Sequence, residues 1–229
     1  MAQYAVPGCN WPEPTFAASA LKLTATLDAS QSQDVDQGSS SLQVRYDFDG
    51  DAVFDTPWLA NAAQTHLCRY PGTWRSTVQC KDSTGHVSTT RRRFQAGSAV
   101  TLTPGYVNAI AGGAAQIQLD VGPAGAGNLY LVLATLSGTA PGFVWQPGFP
   151  VPLNQDFVTN AFVANPNGTF LSNGLGLFDG NGRATAIVTV PPTLLQPFLW
   201  QTVHWNFLSV DLFGLPKCVG DSKPLLILP

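Results

Sequence analysis

The sequence is short of charge. Only 11% of its 229 residues are charged, Glu13 is its sole glutamate, and it has a single methionine. Such a chain lacks the straight-chain residues that favour helices and is rich instead in Gly, Pro, Thr and Phe, so an all-β fold is expected. The net charge of -3 offers no broad basic field, which argues against nucleic acid as a partner. The basic run Arg91, Arg92 and Arg93 reads as a solvated strand end. No stretch approaches the roughly 20 apolar residues of a transmembrane helix. The start, MAQYAVPGCNWPEP, has neither a basic region nor an apolar signal core. A soluble chain is expected, with any export signal removed or replaced by Met1.

The four cysteines, Cys9, Cys68, Cys80 and Cys218, lack CxxC spacing and have little histidine nearby, which argues against zinc. Disulfides in an oxidising compartment fit better. Cys68 and Cys80 flank RYPGTWRSTVQ, where a Pro71-Gly72 turn would fold two strands together and bring the sulfurs within reach. Cys9 and Cys218 are left by elimination and would tie the chain ends together. Buried free thiols are the alternative.

A chain of 229 residues is long enough for two domains. Residues 1–99 hold eight of the eleven basic residues and nine of the fourteen acids, which supports a boundary near Gly97. The expected organisation is an N-terminal extension over 1–16, a first sandwich over 17–97, and a larger second sandwich over 98–229. In the first, LKLTATLDAS places Leu21, Leu23, Ala25 and Leu27 on one face. LQVRYDF does the same with Leu42, Val44, Tyr46 and Phe48, and TWRSTVQC with Trp74, Ser76, Val78 and Cys80. Period-two runs at roughly 10-residue spacing, separated by Asp, Ser and Gly clusters, predict an Ig-like β-sandwich.

The order LDASQSQDVDQG, LQVRYDFDGD and THLCRYPGTWRSTVQCKDSTG resembles a PKD (polycystic kidney disease) domain over about residues 17–96. Trp74 stands at the family's Pro-Gly-x-Tyr aromatic, Cys68 at the Tyr after His66, and Cys80 at an inward apolar position. If both cysteines face inward as the resemblance implies, their bridge lies within the sandwich core. The resemblance further implies contact with protein or carbohydrate outside the cell.

Where the family has a short Gly-Asp-Gly turn, this chain has DGDAVFDT. Asp47, Asp49 and Asp51 follow a D-x-D-x-D spacing, with Asp55 in the next turn, and such carboxylates can converge on calcium. The loop is no EF-hand: Ala52 replaces the turn glycine and no Glu closes it. The alternative is structural, with Asp47 and Asp49 alternating outward and Asp51 and Asp55 capping turns. Asp28, Asp34 and Asp36 would form a second acidic cluster. Catalysis by paired carboxylates needs a deep cleft, which a strand-edge turn rarely supplies.

Over 98–229 the runs AAQIQLDV, NLYLVLATLSG, ATAIVTV, TVHWNFLSVDLFG and KPLLIL predict further strands. SGTAPG and DGNGRATA are the most specific parts of a resemblance to an uncharacterised C-terminal module of secreted proteins from planctomycete-like environmental bacteria, which implies export. Phe143, Trp145 and Phe149 lie in a Pro/Gly-rich loop, where they would either stack on sugars or anchor a protein partner, or fold inward as a satellite core. On strict alternation Trp205 shares a face with Val203 and Phe207, and His204 with Asn206. Asn167-Gly168-Thr169 is a formal glycosylation sequon. No local spacing assembles a catalytic triad or a metal-ligand triad.

These features lead to the expectation of a non-catalytic, extracellular structural or adhesion protein. It would act through contacts with itself or other surface proteins, and a homo-oligomer is among the expected states. A carbohydrate-binding module taking polysaccharide, with calcium, is the alternative.

Overall fold

The structure, a computed structural model, describes residues 11–38, 41–60 and 63–229. It divides into two compact units. The first comprises the described parts of Met1–Ala20, Ala25–His66 and Thr73–Gln95; the second comprises Leu21–Thr24, Leu67–Gly72 and Ala96–Pro229. Two short internal segments thus join the second unit, where the charge distribution suggests a single cut near Gly97.

The first unit carries β1 (Ala17–Leu21), β2 (Thr24–Asp28), β3 (Gln43–Asp47), β4 (Leu59–Ala60), β5 (Gln64–Leu67), β6 (Gly72–Lys81) and β7 (Val87–Ala96). Among the described residues they form two sheets, β1-β2-β5 and β4-β3-β6-β7. Alternation fills the space between them: Ala25, Leu27, Val44, Tyr46, Val78 and Cys80 are fully buried, and Trp74 nearly so. The Tyr46 hydroxyl hydrogen-bonds the backbone of Ala29, just beyond β2. Phe48 stacks on His66 of β5 at 4.6 Å between ring centroids. LKLTATLD, expected as one strand, is instead two. Lys22 adopts a φ of 58° between β1 and β2, and Leu21 is consequently exposed while Leu23 is buried.

This topology corrects the expected Cys68–Cys80 bridge. The Pro71-Gly72 turn leads from β5 in one sheet to β6 in the other, so no hairpin brings the two cysteines side by side. Cys80 lies opposite Val44 in the β3–β6 ladder. Cys68, Cys80 and Cys218 are all fully buried, and the structure shows no bridge between any two of them. Cys9 lies outside the described residues, and so does the pairing expected for it.

The second unit carries β8 (Val100–Thr103), β9 (Tyr106–Asn108), β10 (Gly113–Asp120), β11 (Leu129–Thr135), β12 (Phe143–Gln146) and β13 (Phe149–Val151). These are followed by α1 (Phe157–Ala164), β14 (Leu171–Ser172), β15 (Leu175–Leu177), β16 (Arg183–Val190), β17 (Thr202–Val210), β18 (Pro216–Val219) and β19 (Lys223–Leu228). One sheet runs β14-β16-β10-β8 and the other β15-β11-β17-β19-β9, with β18 paired to β17. β10 buries Ala115, Ile117 and Leu119 and exposes Gln116 and Gln118, the pattern of a sheet with one wet face. β11 and β17 are buried on both faces, because the β12–β13 ribbon packs Phe149, Val151 and the following Leu153 against Leu133, Leu208 and Val219. The helix was not expected from the sequence. Asp156 caps it, accepting from Val158 N and Thr159 N at 2.9 and 3.0 Å, while Thr159 answers the Asp156 N–H in a capping box.

Candidate functional site

The acidic turn between β3 and β4 is built from its own backbone. Asp47 accepts from Gly50 N at 2.7 Å through one oxygen and from Ala52 N at 3.2 Å through the other. Asp55 accepts from Phe48 N at 2.7 Å, Asp49 from Asp51 N at 3.3 Å, and Asp51 from Val53 N at 2.7 Å. Gly50 is required here: its φ is 75°, and a Cβ would collide with the Arg75 carbonyl oxygen. Carboxylate oxygens of Asp47, Asp49 and Asp55 lie within 4.8 Å of one another, a donor set that fits a hard cation. Asp51 is not part of that group. Burial pushes the Asp47 pKa up; the hydrogen bonds from Gly50 and Ala52 oppose this and the charges of Asp49 and Asp51 add to it. Asp28 and Asp34 each close a turn of their own, on Ser30 N and Asp36 N. A polar depression of about 660 Å³ adjoins the turn, lined by Asp47, Ala52, Phe54, Gln79 and Arg91 among others. Beside it the Arg45 guanidinium stacks over Phe54 and Trp58 at 4.0 and 4.5 Å, an outward cation–aromatic cluster that alternation alone does not reveal.

The aromatic ribbon folds mostly inward. Phe149 is buried, while Phe143 and Trp145 are partly buried and packed against the same cluster, with Trp145 edge-on to Phe149 at 6.3 Å. An open groove of about 470 Å³ runs along the ribbon, with Tyr70, Pro71, Phe143 and Pro150 on its walls and Asp221 and Ser222 at its polar end. Tyr70 was not singled out in the sequence, because nothing local associates it with residues near 143.

Two further features belong to the apolar surface of the second unit. A cavity of about 270 Å³ opens between the two sheets, where Val188, Val203, Trp205 and Ile227 meet Phe157 and Phe162 of α1. The β17–β18 hairpin ends in Leu212, Phe213, Gly214 and Leu215, and Phe213 is 91% exposed. Asp211 holds this tip: its carboxylate accepts from Phe213 N and Leu215 N, both at 2.9 Å, and pairs with Lys217 at 3.0 Å.

The charges of residues 98–229 are all engaged. Arg183 pairs with Asp120, Lys217 with Asp211 and Lys223 with Asp221. Asp179 closes the turn at Asn181 and Arg183. Asp156 accepts from Leu136 N and Ser137 N as well as capping the helix. Burial opposes ionisation of Asp156, but these bonds outweigh it and hold its pKa down to about 2.

His86 is not arranged as a catalytic relay. Asp82 and Thr84 both meet the same His86 nitrogen, Nδ1, at 2.9 Å, whereas a Ser-His-Asp relay uses opposite ring nitrogens. His204 is half-buried, and burial lowers its pKa. Asn167 exchanges two hydrogen bonds of 3.1 Å with the backbone of Leu175, which gives its side chain a structural role.

The fold and these sites define an all-β protein of two sandwich units. The chain matches no protein-family model and no curated protein. It is similar to the PKD1 domain of Vibrio anguillarum Epp, at 20% identity and a TM-score of 0.30, over 37% of this chain and 92% of that one. It is also similar to the PKD1 domain of the Vibrio cholerae metalloprotease PrtV, at 18% and 0.31, over 38% and 99%. A structure from the carbohydrate-binding modules of the β-sandwich superfamily matches at 12% and 0.33, over 96% and 100%. The resemblance of residues 100–229 to a planctomycete-like module finds no support among these structures.

Proposed function

We propose that the protein is a non-catalytic structural or adhesion subunit that works outside the cell through protein–protein contacts, its second unit associating with further copies of itself. One observation carries this reading. Every charged side chain of residues 98–229 is bound internally, while large apolar side chains, Phe213 foremost, remain in water. Free surface charge is what keeps small soluble domains apart, and exposed apolar patches mark contact sites. The hairpin tip is suited to such contact because Asp211 fixes it before any partner arrives, which lowers the ordering cost of association. The cavity between the sheets lies near the start of β17 and the tip follows its end, separated by nine residues or about 30 Å. Tip-to-cavity contact between copies would therefore be head-to-tail.

Light scattering after size exclusion tests the reading. A species heavier than the chain's 24.3 kDa that falls to monomer in the Leu212→Ser/Phe213→Ser variant supports it. A wild-type monomer across a wide concentration range would end the self-association reading.

Carbohydrate binding is the second reading, favoured by the groove with Tyr70 and Phe143 on its walls. Loss of a glycan-array signal in Tyr70→Ala would support it; no signal from the wild type would remove it. Calcium at Asp47, Asp49 and Asp55 is a separable proposal within either reading.

A further inference from the structure

We propose that Cys68 and Cys218 form a disulfide within the second unit, a pairing different from either that the sequence suggests. The backbone brings their segments together: Val219 N donates to Arg69 O at 2.8 Å, and these two residues directly follow Cys218 of β18 and Cys68, which lies just past the end of β5. Their direction is set by their neighbours. Val219 packs into the cluster around Phe149, and the Arg69 guanidinium stacks over that same ring at 5.8 Å. Side chains alternate along β18, so Cys218 projects to the face opposite Val219. Both cysteines are 0% exposed. Cys68 is further anchored by donating its N–H to Leu23 O at 2.8 Å, and Cys218 lies opposite Ser209 in the β17–β18 ladder. Two fully buried cysteines that adjoin one hydrogen bond between their segments are an arrangement from which a bridge can form.

Burial pushes both thiols up to about 12, and the neighbouring Cys68 adds to the shift of Cys218. Thiolate is scarce in the folded state, so the bond must form during folding, before the interior closes. A small-molecule disulfide is the oxidant. One cysteine thiolate attacks it, giving a mixed disulfide and releasing one small thiol; the second cysteine thiolate then attacks the mixed disulfide and releases the other small thiol. Two cysteine thiols are oxidised to one disulfide, and one small disulfide is reduced to two thiols.

The test is to refold the reduced full-length chain in oxidised and reduced glutathione, block free thiols, and map tryptic peptides without reduction. The four cysteines separate cleanly: Cys9 falls in 1–22, Cys68 in 46–69, Cys80 in 76–81, and Cys218 in 218–229, since Pro224 blocks cleavage at Lys223. Recovery of 46–69 joined to 218–229 is expected. Either peptide joined to any other, or both recovered as free alkylated thiols, would overturn the proposal. Reductant should also lower the thermal midpoint of the wild type and leave that of Cys68→Ser/Cys218→Ser unmoved; an equal shift in both would count against the bridge.

Discussion

Asp47 couples the acidic turn to the first core more tightly than its charge suggests. It is 1% exposed and accepts from the backbone N–H groups of Gly50 and Ala52, one through each carboxylate oxygen. Asp47→Ala should therefore cost about 1.5–3 kcal/mol, the range for hydrogen bonds to a charged group, measured by urea unfolding. The loss should appear in chelator as well as in calcium, because it arises from hydrogen bonds. Gly50→Ala should cost at least about 1 kcal/mol by the same measurement, because φ there is 75° and Arg75 blocks the added methyl. Calcium itself is tested by the wild-type thermal midpoint: a rise with millimolar calcium is expected if Asp47, Asp49 and Asp55 bind it, and an unchanged midpoint would leave them as a turn alone.

Among the elements, α1 and the β17–β18 hairpin make the clearest predictions, each resting on one aspartate. Asp156 joins the helix start to the end of β11, and Asp156→Ala should remove about 1 kcal/mol or more of stability, since a capping carboxylate is lost together with its bonds to Leu136 and Ser137. Its pKa is about 2 in the fold against an ordinary 3.8. A carboxylate with a depressed folded pKa stabilises above its unfolded value and loses that contribution as pH falls through the folded value. The wild-type advantage over the variant should therefore be complete above about pH 4 and should shrink as pH falls toward about 2. At the hairpin, Phe213→Ser should leave the urea midpoint nearly unchanged at concentrations dilute enough for the wild type to be monomeric, since the side chain is exposed, while reducing solution mass at higher concentration.

For the whole molecule, the origin of association determines its response to salt. With the charges of residues 98–229 engaged internally, contact between copies should be driven by apolar burial. Sulfate should then strengthen it, whereas an electrostatic contact would weaken with ionic strength. Sedimentation in rising ammonium sulfate, below precipitation, distinguishes the two. Among the described residues no helix is long and apolar enough to cross a membrane.

The residues alone determined which strands form and which way most of them face. Val44, Tyr46, Val78 and Cys80 are buried as their alternation requires, because period two is a local property of extended chain. Trp205 likewise shares a buried face with Val203 and Phe207. Partnership is not local, and there the tertiary structure decided. Whether Pro71-Gly72 makes a hairpin or a crossing between sheets depends on which strands pair, so Cys68 lies beside the strand of Cys218, 150 residues away, rather than opposite Cys80. Asp51 stays outside the group formed by Asp47, Asp49 and Asp55, its carboxylate accepting from Val53 N instead. Phe149 turns inward because the ribbon finds Leu133 and Val219 beneath it. Spacing sets the direction of a side chain, but what it meets is set by segments brought together from elsewhere in the chain.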